Sequence, residues 1–208
     1  MRIVLASASP RRRALLGTLG RPFDVRPSGT DESVEVRETP VQTIEQIALQ
    51  KAMAVAALDR SAMLVIGADT AVVLGSRILG KPSNCEDAEA MLRQLCGQTH
   101  HVVTGLAVVE NPAGNCAVSH ATTAVTMHSY SDREMKEYVC SGEPEDKAGA
   151  YAIQGAGGRL VESIQGCYFN VVGLPLCELS RMLSTVGFHV PARCYLPGGR
   201  LCPGSDRI

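Results

Sequence analysis

The stretch that most limits how this chain can fold runs from Met63 to Pro82, MLVIGADTAVVLGSRILGKP. Met63 to Ile66 is a continuous apolar, β-branched run, the pattern of a buried strand. That places Asp69 and Thr70 at the strand's end. Ala71 to Leu74, a Gly75-Ser76 turn and Arg77-Ile78-Leu79 then read as a hairpin, which returns Gly80-Lys81-Pro82 to the neighbourhood of Asp69. One carboxylate and one ammonium on a compact scaffold, with small residues on either side, suit a divalent cation and a phosphate held together. A strand-end aspartate is also a common turn residue, so the reading depends on what the rest of the chain supplies.

Arg2 to Ala6 reads as a short strand that runs into Ser7-Ala8-Ser9-Pro10-Arg11-Arg12-Arg13. Ser9 is a natural N-cap and Pro10 a natural first helical residue. Unbonded amides and the positive end of the helix dipole gather here beside the Ser7 and Ser9 hydroxyls. Arginines in a first turn work against that dipole, an arrangement that makes sense if an anion sits there; a solvated basic patch is the plainer alternative. Phe23 to Val25 reads as a second strand, followed by an acidic loop in which Glu32 is a candidate second metal carboxylate. Thr39-Pro40-Val41-Gln42 is a capping box for a helix to about Leu58, and Lys51 within it is either a surface lysine or a phosphate ligand.

Further along, Ser83 with Glu86 suggests a capped helix ending at Cys96-Gly97, and His101–Val109 with Cys116–Met127 suggests an antiparallel pair. His100 and His101 are adjacent, so on a strand they face opposite ways and cannot chelate together. Ser131 with Glu134 caps a short helix. The glycine-dense segment Gly149 to Gly158 implies close backbone approach. Leu160–Ile164 and Tyr168–Val172 both read as strands, and a last helix starts near Pro175. Residues 1–186 are expected to form one domain, and residues 187–208, rich in Pro and Gly, a poorly ordered or surface-draped tail.

Composition narrows the classes. With 45% apolar and 20% charged residues over 208 positions, the chain can bury a sizeable core as one domain or a compact two-lobed one. A net charge of -1 and the absence of Trp argue against nucleic acid as a partner. No apolar run is long enough to span a membrane, and the chain opens into a strand without a signal-like core, so a cytoplasmic location is expected. Eight cysteines include no Cys-x-x-Cys pair and no histidine at zinc-finger spacing; they read as small hydrophobes rather than disulfides or zinc ligands.

Four motifs in order, Ser7-Ala8-Ser9-Pro10-Arg11-Arg12, Gly67-Ala68-Asp69-Thr70, Gly80-Lys81-Pro82 and Asp146 to Gly155, together with Asn170-Val171-Val172-Gly173-Leu174-Pro175-Leu176, resemble the Maf family of nucleoside triphosphate pyrophosphatases. The resemblance spans roughly residues 2 to 185. It implies an elongated α/β fold related to inosine triphosphatases, with a mixed twisted sheet and a cleft between two lobes. It also implies hydrolysis of a nucleoside triphosphate to monophosphate and pyrophosphate with a divalent metal, Mg²⁺ or Mn²⁺, in a homodimer. Asp69 corresponds to the family's proton acceptor. Arg11, Thr70 and Gln154 occupy its three specificity positions and follow the dTTP/UTP branch; the branch acting on 7-methyl-GTP usually has an aromatic residue at the first and an acidic one at the last.

Elementary chemistry fits the same residues. A triphosphate carries about four negative charges, and its cleavage is chiefly a matter of positioning and charge stabilisation. Asp69 and Glu32 are expected to hold the cation, and Ser7, Arg11, Arg12, Lys51 and Lys81 to bind phosphates. Gln154, a donor and an acceptor side by side, suits the O4/N3 edge of uracil or thymine, with Thr70 lining the same pocket. Asp146 and Lys147 are weaker candidates. The alternatives are a pyrophosphatase for modified nucleotides, and a nucleotide-binding regulator of septum formation that works through a partner.

Overall fold

The computed structural model describes residues 1–29, 39–61, 63–190, 195–196 and 201–202. Its strands are β1 (Arg2–Leu5), β2 (Phe23–Val25), β3 (Met63–Leu74), β4 (Arg77–Leu79), β5 (Thr99–Asn111), β6 (Cys116–Met127) and β7 (Val161–Gln165). Its helices are α1 (Pro10–Gly17), α2 (Pro40–Ala56), α3 (Cys85–Leu95), α4 (Asp132–Val139), α5 (Tyr168–Val172) and α6 (Leu176–Thr185), and 3₁₀ turns occupy Glu143–Asp146, Ala148–Ala150 and Ala156–Leu160. The strands form one seven-stranded mixed sheet in the order β2-β1-β3-β5-β6-β7, with β4 added to β3. β1 lies parallel to both β2 and β3, and the remaining pairs are antiparallel.

Capping chemistry decided most of the helix starts. Ser9 and Thr39 accept from the amides of Arg12 and Gln42, each with proline in the first turn, and Ser131 with Glu134 closes a reciprocal box on α4. The start of α3 differs from the expected Ser83–Glu86 box. Asn84 is the cap, accepting from Asp87 N at 2.8 Å, while Asp87 accepts from Ser83 N at 2.9 Å.

Two further expectations are corrected. β3 does not end before Asp69; it runs unbroken through Gly67, Asp69 and Thr70. Gly67 is a packing residue rather than a break, since a Cβ there would lie 2.1 Å from Ala48 O on α2. Tyr168–Val172, aromatic and β-branched, is one helical turn instead of a strand. The cause is tertiary. Buried Asn170 donates to Val102 O at 2.8 Å and Thr123 Oγ1 at 2.9 Å, which a strand would not allow here, and Gly173 at φ 121° turns the chain away.

The core falls into groups on the two faces and at the two ends of the sheet. Ile3, Leu5, Leu64, Ile66, Ala68 and Leu106 pack with side chains from α1, α5 and α6. Val4, Met63, Val65, Ala107 and Val109 pack on the opposite face against Ala48, Ala52 and Val55 of α2. Beyond the end of β1, Val72, Val102 and Val125 meet α3, α4 and Tyr151 in a second lobe. The tail contributes too: Val190 and Cys202 are buried in the first of these groups.

His100 is enclosed in the second lobe, its Nε2 2.8 Å from Tyr151 Oη, while His101 is exposed. Burial, with His101 beside it, pulls the His100 pKa down to about 4. The unfolded chain therefore binds one more proton than the folded one between about pH 4 and 6.5, so this contribution is complete above pH 6.5 and lost as pH falls towards 4. The loss is roughly 3 kcal/mol. Urea melts from pH 4 to 7 should show this slope, and His100→Gln should flatten it.

Candidate active site

The site follows from a step in the sheet. β5 covers one edge of β3 from Met63 to Val73. On the other edge β1 stops at Ile66, where Ala6 N donates to Ile66 O at 2.8 Å, and β4 begins only opposite Val72. Residues 67–71 thus border a gap that no described strand fills, at the carboxyl end of the parallel strands, where open α/β sheets place their ligands. Asp69 and Thr70 stand in this gap on opposite faces, because side chains alternate along a strand.

Asp69 faces α2. Its Oδ1 accepts from Lys51 Nζ at 2.8 Å, with the two side chains only 16% and 10% exposed. A buried ammonium needs such a partner. Gly105, paired with Asp69 across the sheet, allows the approach of α2: a Cβ on it would lie 2.7 Å from Ile44 O. Among the described residues, Asp69 Oδ2 accepts no protein hydrogen bond. A hard carboxylate oxygen left open in a crevice is the donor type that Mg²⁺ and Mn²⁺ take. Glu32, the other expected metal ligand, lies outside the described residues.

Thr70 faces α1 and α5. Arg12 fans its guanidinium over this side, Nε to Gly173 O at 2.9 Å, Nη1 to Ser7 Oγ at 3.2 Å and Nη2 to Thr70 Oγ1 at 3.0 Å. Thr70 Oγ1 also lies 2.9 Å from Thr104 Oγ1, and Thr104 donates to Asn170 O at 3.3 Å. Ser7 Oγ accepts a second bond, from Ser9 N at 3.3 Å, so the hydroxyl proton is its remaining donor. Arg12 therefore braces the β1–α1 turn against α5, whatever else it touches.

The second lobe closes the far side. Arg11 Nη1 reaches Asp146 Oδ2 at 3.5 Å, a half-exposed pair of the kind that contributes little to stability and yields readily to a competing anion. Lys81 is exposed just beyond β4, where Gly80 O accepts from Gly149 N at 2.9 Å. Gln154 is exposed on a turn shaped by Glu143, which accepts from Ala156 N at 2.9 Å, Gly157 N at 3.1 Å and Tyr138 Oη at 3.1 Å. These donors hold the Glu143 carboxyl below the usual carboxylate range although burial pushes the other way. Lys147 is drawn to Asp146 and to Glu143 O, and so is turned into its own loop.

The structure thus brings Lys51 to Asp69, and Ser7 and Arg12 to Thr70, with Arg11 bonded across to the second lobe. Among the described residues, no hydrogen bond or ion pair joins Lys81 or Gln154 to these groups. Sequence reasoning gave no role to Glu143, Thr104 or Asn170. Asn170 opens the motif Asn170 to Leu176, and its amide lies between aromatic and β-branched residues, where a polar side chain must find buried partners.

These features define an open α/β protein with a carboxylate and a basic rim at the end of its parallel strands. Its sequence matches the family model described as Maf-like protein over residues 2–186. The dTTP/UTP pyrophosphatase of Moorella thermoacetica is 52% identical over 92% of this chain and 98% of its own. That of Pelotomaculum thermopropionicum is 48% identical over 90% and 98%. Among solved structures, the Ham1 protein of Staphylococcus aureus aligns with a TM-score of 0.43 at 20% identity, over 61% of this chain and 72% of that one. The chain belongs to the Maf family.

Proposed function

We propose that this protein is a nucleoside triphosphate pyrophosphatase that hydrolyses dTTP and UTP to the monophosphate and pyrophosphate, and that it works with a divalent cation as a cytoplasmic homodimer. The observation that carries the reading is Asp69, paired with Lys51 and open at Oδ2 in the sheet's gap. The names of its close relatives support the substrate class.

Asp69 and Glu32 would hold the cation, which when bound supplies positive charge to the phosphate oxygens. The chain's own residues do the rest. Arg11, released from Asp146, and Lys81 draw in the triphosphate, and the Ser7 hydroxyl donates to a phosphate oxygen beside the start of α1. Lys51 keeps the Asp69 carboxylate oriented. Water attacks the α-phosphorus, Asp69 takes its proton, and the bond from that phosphorus to the bridging oxygen breaks so that pyrophosphate leaves. Arg12 holds Thr70 in place, and Gln154 selects the base by its paired amide donor and acceptor.

Gln154→Glu tests the selection step. It should lower kcat/KM for dTTP and UTP by about 10-fold or more, as expected for a lost base contact, while leaving the melting temperature unchanged. An unaltered nucleotide preference would remove Gln154 from the account.

A further inference from the structure

Away from the gap, the fold gathers three cysteines that are far apart in sequence. Cys167 precedes α5, Cys177 lies in the first turn of α6, and Cys202 comes from the tail. They are 7%, 3% and 0% exposed, and their sulfurs all lie within 4.8 Å of one another. Cys167 and Cys202 are 3.5 Å apart, and Cys167 is hydrogen-bonded to both of the others. The remaining described cysteines, 85, 96, 116 and 140, are exposed or half-buried.

We propose that Cys167, Cys177 and Cys202 form a structural site for one thiophilic cation, Zn²⁺ by preference, which fastens the C-terminal segment to α5 and α6. Zinc–thiolate bonds of about 2.3 Å put tetrahedral sulfurs about 3.8 Å apart, close to the 3.5 Å between Cys167 and Cys202 and within the 4.8 Å that holds all three. A disulfide needs a sulfur–sulfur distance of about 2.05 Å and would use only two of the three. Thiolates select zinc over the hard cations suited to the carboxylates in the gap. Binding exchanges the three thiol protons for the cation; among the described residues no further His, Cys, Asp or Glu joins the three sulfurs.

Cys167 is already held for this task. Thr123 Oγ1 accepts from Cys167 N and donates to Cys167 O, both at 3.1 Å, and the same oxygen receives Asn170 Nδ2. The cation would therefore brace the turn that leads to Gly173, where Arg12 is anchored.

The test is Co²⁺ titration of the reduced, full-length protein, read by absorbance. One equivalent should give a near-ultraviolet thiolate-to-cobalt band and the strong visible bands of tetrahedral cobalt; Zn²⁺ should displace them and Mg²⁺ should not. Cys202→Ser should weaken binding at least 10-fold, whereas Cys85→Ser should leave it intact. Zn²⁺ should also raise the melting temperature of the parent but not of Cys202→Ser. A folded parent without the thiolate band would overturn the site, whatever the serine variants do. So would an undiminished affinity for Co²⁺ in Cys202→Ser, or a Cys167–Cys202 disulfide in protein isolated without reductant.

Discussion

Asp69→Asn should lower turnover by about 10²–10⁴-fold even at saturating cation, the usual contribution of a positioned general base, and should raise the cation concentration needed for activity. The asparagine keeps an oxygen for Lys51 Nζ, now 2.8 Å from Asp69 Oδ1, so the protein should still fold. The negative charge 2.8 Å from Lys51 Nζ would nevertheless be removed at a site where Lys51 is only 8% exposed. A drop in stability of about 1–3 kcal/mol is therefore expected, short of what deletion of a buried partner costs. Steady-state kinetics and a urea melt on the same preparation check both parts. Turnover within threefold of the parent would mean that the proton acceptor is elsewhere; a role exerted through a binding partner would also survive the substitution.

Gly67→Ala should be the most damaging single change to the fold. Its new Cβ would sit 2.1 Å from Ala48 O and 2.9 Å from Ala52 N, both backbone atoms of α2. Neither can swing aside as a side chain would, so α2 must lift from β3 and carry Lys51 away from Asp69. Overpacking usually costs 1–3 kcal/mol; backbone contacts this close should cost about 3 kcal/mol or more. Gly80→Ala, also beside the gap but with nothing within 4 Å of its Cβ, is the control and should melt like the parent. Equal melts for the two variants would show that the α2–β3 approach is looser than described.

Much of this architecture was legible in the chain because local chemistry and tertiary structure agreed. Ser9-Pro10, Thr39-Pro40 and Ser131–Glu134 each satisfy helix-end amides with their own side chains, so no distant information was needed. The misreadings arose where distant groups decided. The strand reads as ending at Asp69 and Thr70, whereas it runs on past Gly67, whose reason for being glycine lies on α2. Tyr168–Val172 looked like a strand because the partners of Asn170 lie on β5 and β6. The motif residues of the site were legible one by one, but their division between two faces of β3 was not. That division needs the strand to continue, which places Lys51 with Asp69 and Arg12 with Thr70. The thiol cluster had no local spacing to announce it, since only folding brings Cys167, Cys177 and Cys202 together.

The measurement that bears most directly on the proposed activity is pyrophosphate release from a panel of nucleoside triphosphates, with Mg²⁺ or Mn²⁺ and with EDTA. The account predicts metal-dependent release from dTTP and UTP, with little from ATP or 7-methyl-GTP and none in EDTA. Silence across the panel from folded protein would contradict it and leave a nucleotide-binding regulator as the better description.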